Sequence, residues 1–329
     1  MGVTIQQIAE NTGVSKATVS RVLNGLAVKY ETEQKVKAMM EKMHYRPNRF
    51  ARGLAASHKT GFLGVVTPSL NLFVAAVIAG MEEEARRHGK LLTLATLPVG
   101  TIEEREIVHT LTEPPVVDGL LFFLPSPQME GLIRSLNQRK FPMVVAGEKR
   151  FEYLMPTIAL DNLNGGKQAT EYLIQKGHKR IGFIGGRMDM SDSADREEGY
   201  RLALKESGIT VEESLIQPGD YTIPSGIQAA AKFLEMRNPP TAVFAANDGM
   251  AIGVLKALQN RKKEGAFAVV GFDDIEMASY VTPALTTVGY DPHELGKQAV
   301  HKLMRLVLGE EKIRSTLQIK THLIVRDSA

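Results

Sequence analysis

The chain has 329 residues, 43% of them hydrophobic, with no cysteine, so disulfides, thiol catalysis and cysteine-bound metals are excluded and two or three domains with full cores are affordable. No apolar run approaches the roughly 20 residues of a membrane span, and MGVTIQQIAEN lacks the regions of a secretory signal, so a cytoplasmic protein without membrane contact is expected. The net charge is only +3, yet residues 1–60 carry ten basic side chains against four acidic ones, leaving the remainder at −3; a basic head on a mildly acidic body points to a polyanion partner for the head.

Thr4-Ile-Gln-Gln7 has the spacing of a capping box, with Thr4 as N-cap and Gln7 three positions on. Ile5, Ile8 and Ala9 then form a short apolar face. Asn11-Thr12-Gly13 supplies a turn, since Gly13 can take positive φ. Ser15 is placed to cap a second helix with Val14, Val19, Val22 and Leu23 inward, closed by Asn24-Gly25. A third helix is expected from about Thr32 to His44, with Val36, Met39, Met40 and Met43 on one side. Three short helices with a tight glycine turn make a helix-turn-helix head over residues 1–46. Residues 47–59 follow as a hinge. Pro47 starts a short helix over 48–56, which Gly53 weakens by about 1 kcal/mol relative to Ala; so short a helix is marginal alone and is expected to order on what it binds.

From Thr60 the pattern becomes apolar runs alternating with amphipathic helices. Strands are expected at 61–67, 91–97, 118–124, 142–147, 157–160, 180–185, 242–247 and 266–272. Helices are expected at about 74–88, 103–112, 163–176, 197–207, 225–236, 249–260 and 292–308. Continuous apolar strands joined by helical crossovers imply parallel sheets covered on both faces. Two such series, meeting near Asp161, imply two lobes: one of about 60–160 and 290–318, the other of about 161–289 and 319–329. Ligands of open parallel sheets bind beyond the carboxyl ends of the strands, which places a ligand in the cleft between the lobes.

Several segments, in order, resemble those of the lactose-repressor (LacI/GalR) family of bacterial transcription regulators. TIQQIAENTGVSKATVSRVLNG resembles its head, and YRPNRFARGL its hinge. Asp161-Asn162, GHKRIGFIGG, REEGYRLAL, FAANDGMAIG, VVGFDD and LTTV resemble its effector-binding core. The resemblance implies an all-α helix-turn-helix head, a two-lobed α/β core like a periplasmic binding protein, and a homodimer on a roughly palindromic double-stranded DNA operator. Lys16, Ala17 and Arg21 match base-reading positions of the recognition helix, where Lys or Arg donate to guanine and Ala offers a methyl contact. Thr4, Ser15, Thr18, Ser20, Asn24, Lys29 and Arg49 suit the DNA backbone. Leu54 matches a minor-groove wedge, with Asn48 and Ala51 along the same face. One departure is Glu33, which stands where the family has arginine and would repel phosphate.

In the core the resemblance implies effector contacts by Arg196, whose guanidinium forks onto paired hydroxyls or a carboxylate, and by Asp273, Asn247, Asp161 and the aromatic Tyr221. Duller roles stay open from the residues alone: Asp273 or Asp274 as caps, Asp248 as a cap, Asn247 tying two loops, His178 packed in a turn. Asn71-Leu72-Phe73-Val74 is one residue short of the family's Asn-Pro-Phe-Phe, so Phe73 is expected in the cleft without a second aromatic. A sugar, sugar phosphate or sugar acid is the expected ligand, with a nucleoside-type corepressor or a protein partner as alternative inputs. A Walker loop, GxGxxG after a strand, HExxH and GxSxG are all missing from the sequence, so neither enzyme chemistry nor a cofactor is expected.

Overall fold

The computed structural model describes residues 3–23, 26–45, 60–68, 70, 72–96, 102–113, 115–310 and 315–329. Asn24 and the expected hinge contacts Asn48, Arg49, Ala51 and Leu54 lie outside the described residues. The chain forms two compact units, Met1–Thr60 and Gly61–Ala329.

The first unit holds α1 (Ile5–Thr12), α2 (Lys16–Leu23) and α3 (Tyr30–Lys42). Both halves of the capping box form: the Gln7 amide donates to Thr4 Oγ1 at 3.3 Å, and the Thr4 amide to Gln7 Oε1 at 2.9 Å. Gly13 ends α1 at φ +67°. Ile8, Val19 and Val36 are fully buried where the three helices meet. The third helix starts at Tyr30, two residues before the expected Thr32, because Glu31 and Glu33 in its first turn favour a helix N-terminus.

The second unit contains two six-stranded sheets. In chain order the strands are β1 (Phe62–Thr67), β2 (Leu91–Thr96), β3 (Leu120–Phe123), β4 (Met143–Ala146), β5 (Thr157–Leu160), β6 (Ile181–Ile184), β7 (Ile216–Gln217), β8 (Ala242–Ala245), β9 (Ala268–Phe272), β10 (Thr286–Gly289), β11 (Thr316–Ile319) and β12 (His322–Ile324). The first sheet runs β11-β5-β4-β3-β1-β2, all parallel. The second runs β12-β10-β9-β8-β6-β7, with only β12 antiparallel. Every residue of β3, β4, β6 and β8 is buried, as strands covered on both faces require.

The helices are α4 (Leu72–Arg87), α5 (Ile102–Thr112), α6 (Glu130–Gln138), α7 (Asn162–Gln175), α8 (Ser191–Glu206), α9 (Ile223–Glu235), α10 (Asp248–Asn260) and α11 (Pro292–Val307). Although α11 follows strands of the second sheet, it packs on α4 and on β3, β4 and β5 of the first. The chain therefore passes between lobes after β5, after β10 and after β11. The short elements α6, β7, β10, β11 and β12 were not expected from the sequence, and α8 begins six residues before the expected 197. Among the described residues no helix is long and apolar enough to cross a membrane.

Candidate functional site

In the head, α2 divides cleanly into two faces. Val19 and Val22 are buried, while Ser15, Lys16, Ala17 and Arg21 are exposed. Ser15 Oγ accepts from the Thr18 amide at 3.1 Å and lies 2.9 Å from Thr18 Oγ1, which caps the helix and fixes both hydroxyls at its start. Ser20 is half-buried, and Lys29 is exposed in an extended conformation at the start of α3. Thr4 is taken up by its capping box. Glu33, expected to oppose phosphate, is held by Lys37 at 2.6 Å, which offsets its charge locally.

In the core, a cavity of about 430 Å³ lies at the carboxyl ends of strands from both sheets, within the size range of small-molecule sites. The first lobe contributes Pro68 after β1, Phe73 on α4, Leu124 and Ser126 after β3, and Gly147 after β4. The second contributes Arg187, Asp192 and Arg196 around the start of α8, and Tyr221, Asn247, Asp273 and Tyr290 from loops that follow strands. Phe73 packs 5.9 Å from Phe123 and meets Tyr290 edge-on at 6.1 Å. The sequence led us to expect a pocket poor in aromatic surface. Phe123 and Tyr290 supply that surface from the ends of β3 and β10.

Arg196 is the polar centre, only 3% exposed. Its Nε donates to Asn162 Oδ1 at 2.9 Å, Nη1 donates to the Ala246 carbonyl, and the guanidinium lies 3.7 Å over the Phe272 ring. Nη2 is 3.3 Å from Asp273 and 3.9 Å from Asp192. All three of its nitrogens thus face protein acceptors, so the free fork expected for a ligand is largely committed to holding the site. Burial opposes its charge, but Asp273 and then Asp192 hold it firmly protonated. For Asp273, burial is the largest influence and pushes its pKa up to about 6, against the pull of Arg196. Asp273 also sits at φ +104°, a conformation side chains rarely adopt, with its amide bonded to the Val288 carbonyl at 2.8 Å.

Neighbouring groups lock this centre. Tyr221 donates to Asp192 at 2.8 Å, and its ring occupies the space that a Cβ on Gly186 would need. That packing explains Gly186, the second glycine after β6. Asn247 accepts from the Met250 amide at 2.9 Å, capping α10, and donates to the Tyr221 carbonyl at 3.0 Å, so it ties two loops while lining the cavity. Asp248 is fully buried and accepts from the Ile275 amide and Thr287 Oγ1. Asp274 pairs with Arg326 at 2.7 Å. His178 contacts Thr241 Oγ1 at 2.9 Å in a turn. Two buried hydroxyls of the lining, Ser126 Oγ and Tyr290 Oη, have no hydrogen-bond partner among the described residues.

The lobes are joined beside the cavity. Fully buried Glu148, after β4, accepts from the Ser191 amide at the start of α8 at 3.0 Å. Lys149 pairs with Asp195 at 2.6 Å, and Arg150 donates to the Asp189 carbonyl. The same two turns of α8 therefore carry cavity groups and inter-lobe contacts.

Of the six effector positions expected from sequence, Phe73, Arg196, Tyr221, Asn247 and Asp273 line this one cavity. Asp161 does not. Its carboxylate accepts from the Asn164 amide and caps α7, as an acid preceding a helix does. Sequence reasoning missed Arg187, Asp192, Ser126 and Tyr290. Asp192 lies four residues before Arg196 on α8, a spacing that signals contact only once the helix is known to begin at Ser191.

Comparison with known proteins matches two parts of the chain to family models. Residues 4–48 match the model of the bacterial regulatory proteins of the lacI family, and residues 170–329 that of a periplasmic binding protein-like domain. Catabolite control protein A of Priestia megaterium is 34% identical over 333 residues, spanning 100% of this chain and 99% of its own. A lac repressor dimer bound to operator and the anti-inducer ONPF superposes with a TM-score of 0.87 at 27% identity, covering 100% and 99% of the two chains. A CelR–cellobiose complex does so at 0.76 and 31%, covering 99% and 100%. With a regulatory head, a two-lobed core and full-length relatives of this kind, the chain belongs to the lacI family of bacterial DNA-binding transcription regulators.

Proposed function

We propose that this protein represses transcription by binding an inverted-repeat operator as a homodimer, and that a neutral, hydroxyl-rich small molecule in the core cavity changes its DNA affinity. The reading rests on the pairing, in one chain, of an exposed Lys16/Ala17/Arg21 face with a ligand-sized cavity of balanced charge. In the head, Lys16 and Arg21 donate to guanine edges and Ala17 contacts a thymine methyl; Ser15, Thr18, Ser20 and Lys29 engage the backbone. Leu54 remains the proposed minor-groove wedge.

Charge pairing selects the ligand. Each arginine lining the cavity already has a carboxylate: Arg196 has Asp273 and Asp192, and Arg187 has Asp189 at 2.7 Å. A phosphate or carboxylate ligand would have to break one of these pairs, which favours a neutral sugar over the sugar phosphate or sugar acid also expected from sequence. Asp273 accepts from ligand hydroxyls, Ser126 and Tyr290 gain the partners they lack, and Phe73 covers an apolar ring face. The bound disaccharide of the CelR complex supports the class. Because α8 carries both cavity groups and the contacts to Glu148 and Lys149, a ligand that favours one arrangement of the lobes shifts the population of arrangements, and through it DNA binding.

The test is calorimetric titration of the full chain with neutral mono- and disaccharides, sugar phosphates and nucleosides. The proposal expects saturable binding of a neutral sugar and a changed affinity for DNA. Binding of only anionic sugars or nucleosides contradicts the ligand assignment, and binding of none points to a protein input.

A further inference from the structure

A cluster away from the cavity, on the outer helices of the first lobe, has the makings of a metal site. Helices α4 and α11 pack in backbone contact: a Cβ on Gly80 would lie 2.0 Å from the His293 carbonyl oxygen, and one on Gly296 2.0 Å from that of Val77. Close approach at these two glycines lets short side chains meet across the pair. Glu84 lies four residues after Gly80 on α4, His88 follows four residues later in the turn just past the helix end, and His301 stands on α11. Their ligand atoms all lie within 4.8 Å of one another.

The geometry suits an ion in detail. Glu84 Oε1 is 3.2 Å from His88 Nε2 and 3.7 Å from His301 Nδ1. Ligand bonds of about 2.0–2.2 Å at tetrahedral angles separate donor atoms by roughly 3.3 Å, so small side-chain adjustments bring all three onto one centre. The Glu84 side chain is only 12% exposed, while His88 and His301 are 30% and 54% exposed; the carboxylate is anchored and the imidazoles are reachable. Arg87 holds the other oxygen, Oε2, at 3.2 Å, which leaves Oε1 turned to the histidines. Glu83, His293 and Lys297 are engaged together in a separate set of contacts.

We propose that Glu84, His88 and His301 form a His2Glu site for a divalent transition-metal ion of the zinc type, with an open position to solvent. Two imidazoles and one carboxylate suit Zn2+ or Co2+ over Mg2+, which prefers oxygen ligands and retains its waters. The ion clips α4 to α11, which lie more than two hundred residues apart in sequence, and so stabilises the outer layer of the first lobe.

The test uses the untagged full-length chain, stripped of metal. Zn2+ is titrated by calorimetry and Co2+ by visible absorbance, with Mg2+ as competitor. The expected result is saturable uptake of a single equivalent, insensitive to Mg2+ and accompanied by a higher melting temperature. Affinity should fall roughly tenfold or more in both His301→Ala and His88→Gln, with circular dichroism unchanged. Glu84→Gln, which keeps the shape, should weaken uptake as well. Absence of saturable uptake by the parent chain overturns the site, and so does retention of affinity in either histidine variant.

Discussion

Arg21 and Arg196 are the same residue used in opposite ways. Arg21 stands exposed on α2, over a small core of valines and isoleucine. Arg196 is buried, bonded to Asn162 and Ala246, stacked on Phe272 and neutralised by two carboxylates. An exposed cation keeps its charge available to a polyanion and costs nothing to desolvate until binding. A buried one costs several kcal/mol unless paired, and once paired it no longer attracts anions. The contrast is the physical reason for assigning DNA to the head and a neutral ligand to the core.

The largest effect that would sharpen this contrast is expected at the buried end. Arg196→Ala leaves Asp273 and Asp192 without their partner, so stability should fall by about 3–5 kcal/mol, with loss of ligand binding. Thermal unfolding and calorimetry read both, and a near-parental melting temperature would break the account of the site's polar centre. At the exposed end, Arg21→Ala and Lys16→Ala should each cost about 1–3 kcal/mol of operator affinity and relax sequence preference, with ligand affinity unchanged. Gel-shift titrations over several salt concentrations measure this, and parental affinity should itself drop steeply with salt.

A smaller effect comes from pH. Asp273 has its pKa pushed up to about 6, chiefly by burial. It is charged at pH 7 and takes up a proton as pH falls through 6, losing its capacity as an acceptor and its attraction to Arg196. Ligand affinity should therefore decline below pH 6 by up to about tenfold per unit, and Asp273→Asn should flatten the profile. A parental profile that is flat from pH 7 to 5 would remove Asp273 from ligand contact. For stability the sign is the reverse: the folded state binds this proton more tightly than the unfolded chain, so the group's contribution falls as pH rises from about 4 to 6. Smallest of all, Asp161→Ala should cost about 1 kcal/mol as a lost helix cap and leave ligand affinity unchanged; a clear loss of ligand affinity would return Asp161 to the site.

The head was legible almost to the residue, because the capping box at Thr4, the turn at Gly13 and the cap at Ser15 are local signals that act within one turn. The buried parallel strands were legible as apolar runs. Elements whose burial is not apolar were harder to read. The first two turns of α8 bury Ser193 and Arg196, so SDSADR shows no hydrophobic period, and the sequence pattern places the helix start too late. Strand β11 is mostly exposed, and β7 has two residues; both exist through pairing with β5 and β6, which sequence alone does not state. In α6, only nine residues long, Gly131 interrupts a short period. Likewise Tyr290 reaches the cavity because β10 joins the second sheet, and Ser126 because β3 ends there. Asp161 was misplaced because one carboxylate before a helix serves equally as cap or ligand contact, and only the position of the cavity separates the two.

The most direct measurement is selection of duplexes by the full chain from a randomised DNA pool, repeated with the sugar identified by calorimetry. The account predicts enrichment of an inverted repeat, altered when that sugar is present and abolished by Arg21→Ala together with Lys16→Ala. Recovery of no preferred sequence under either condition would contradict it.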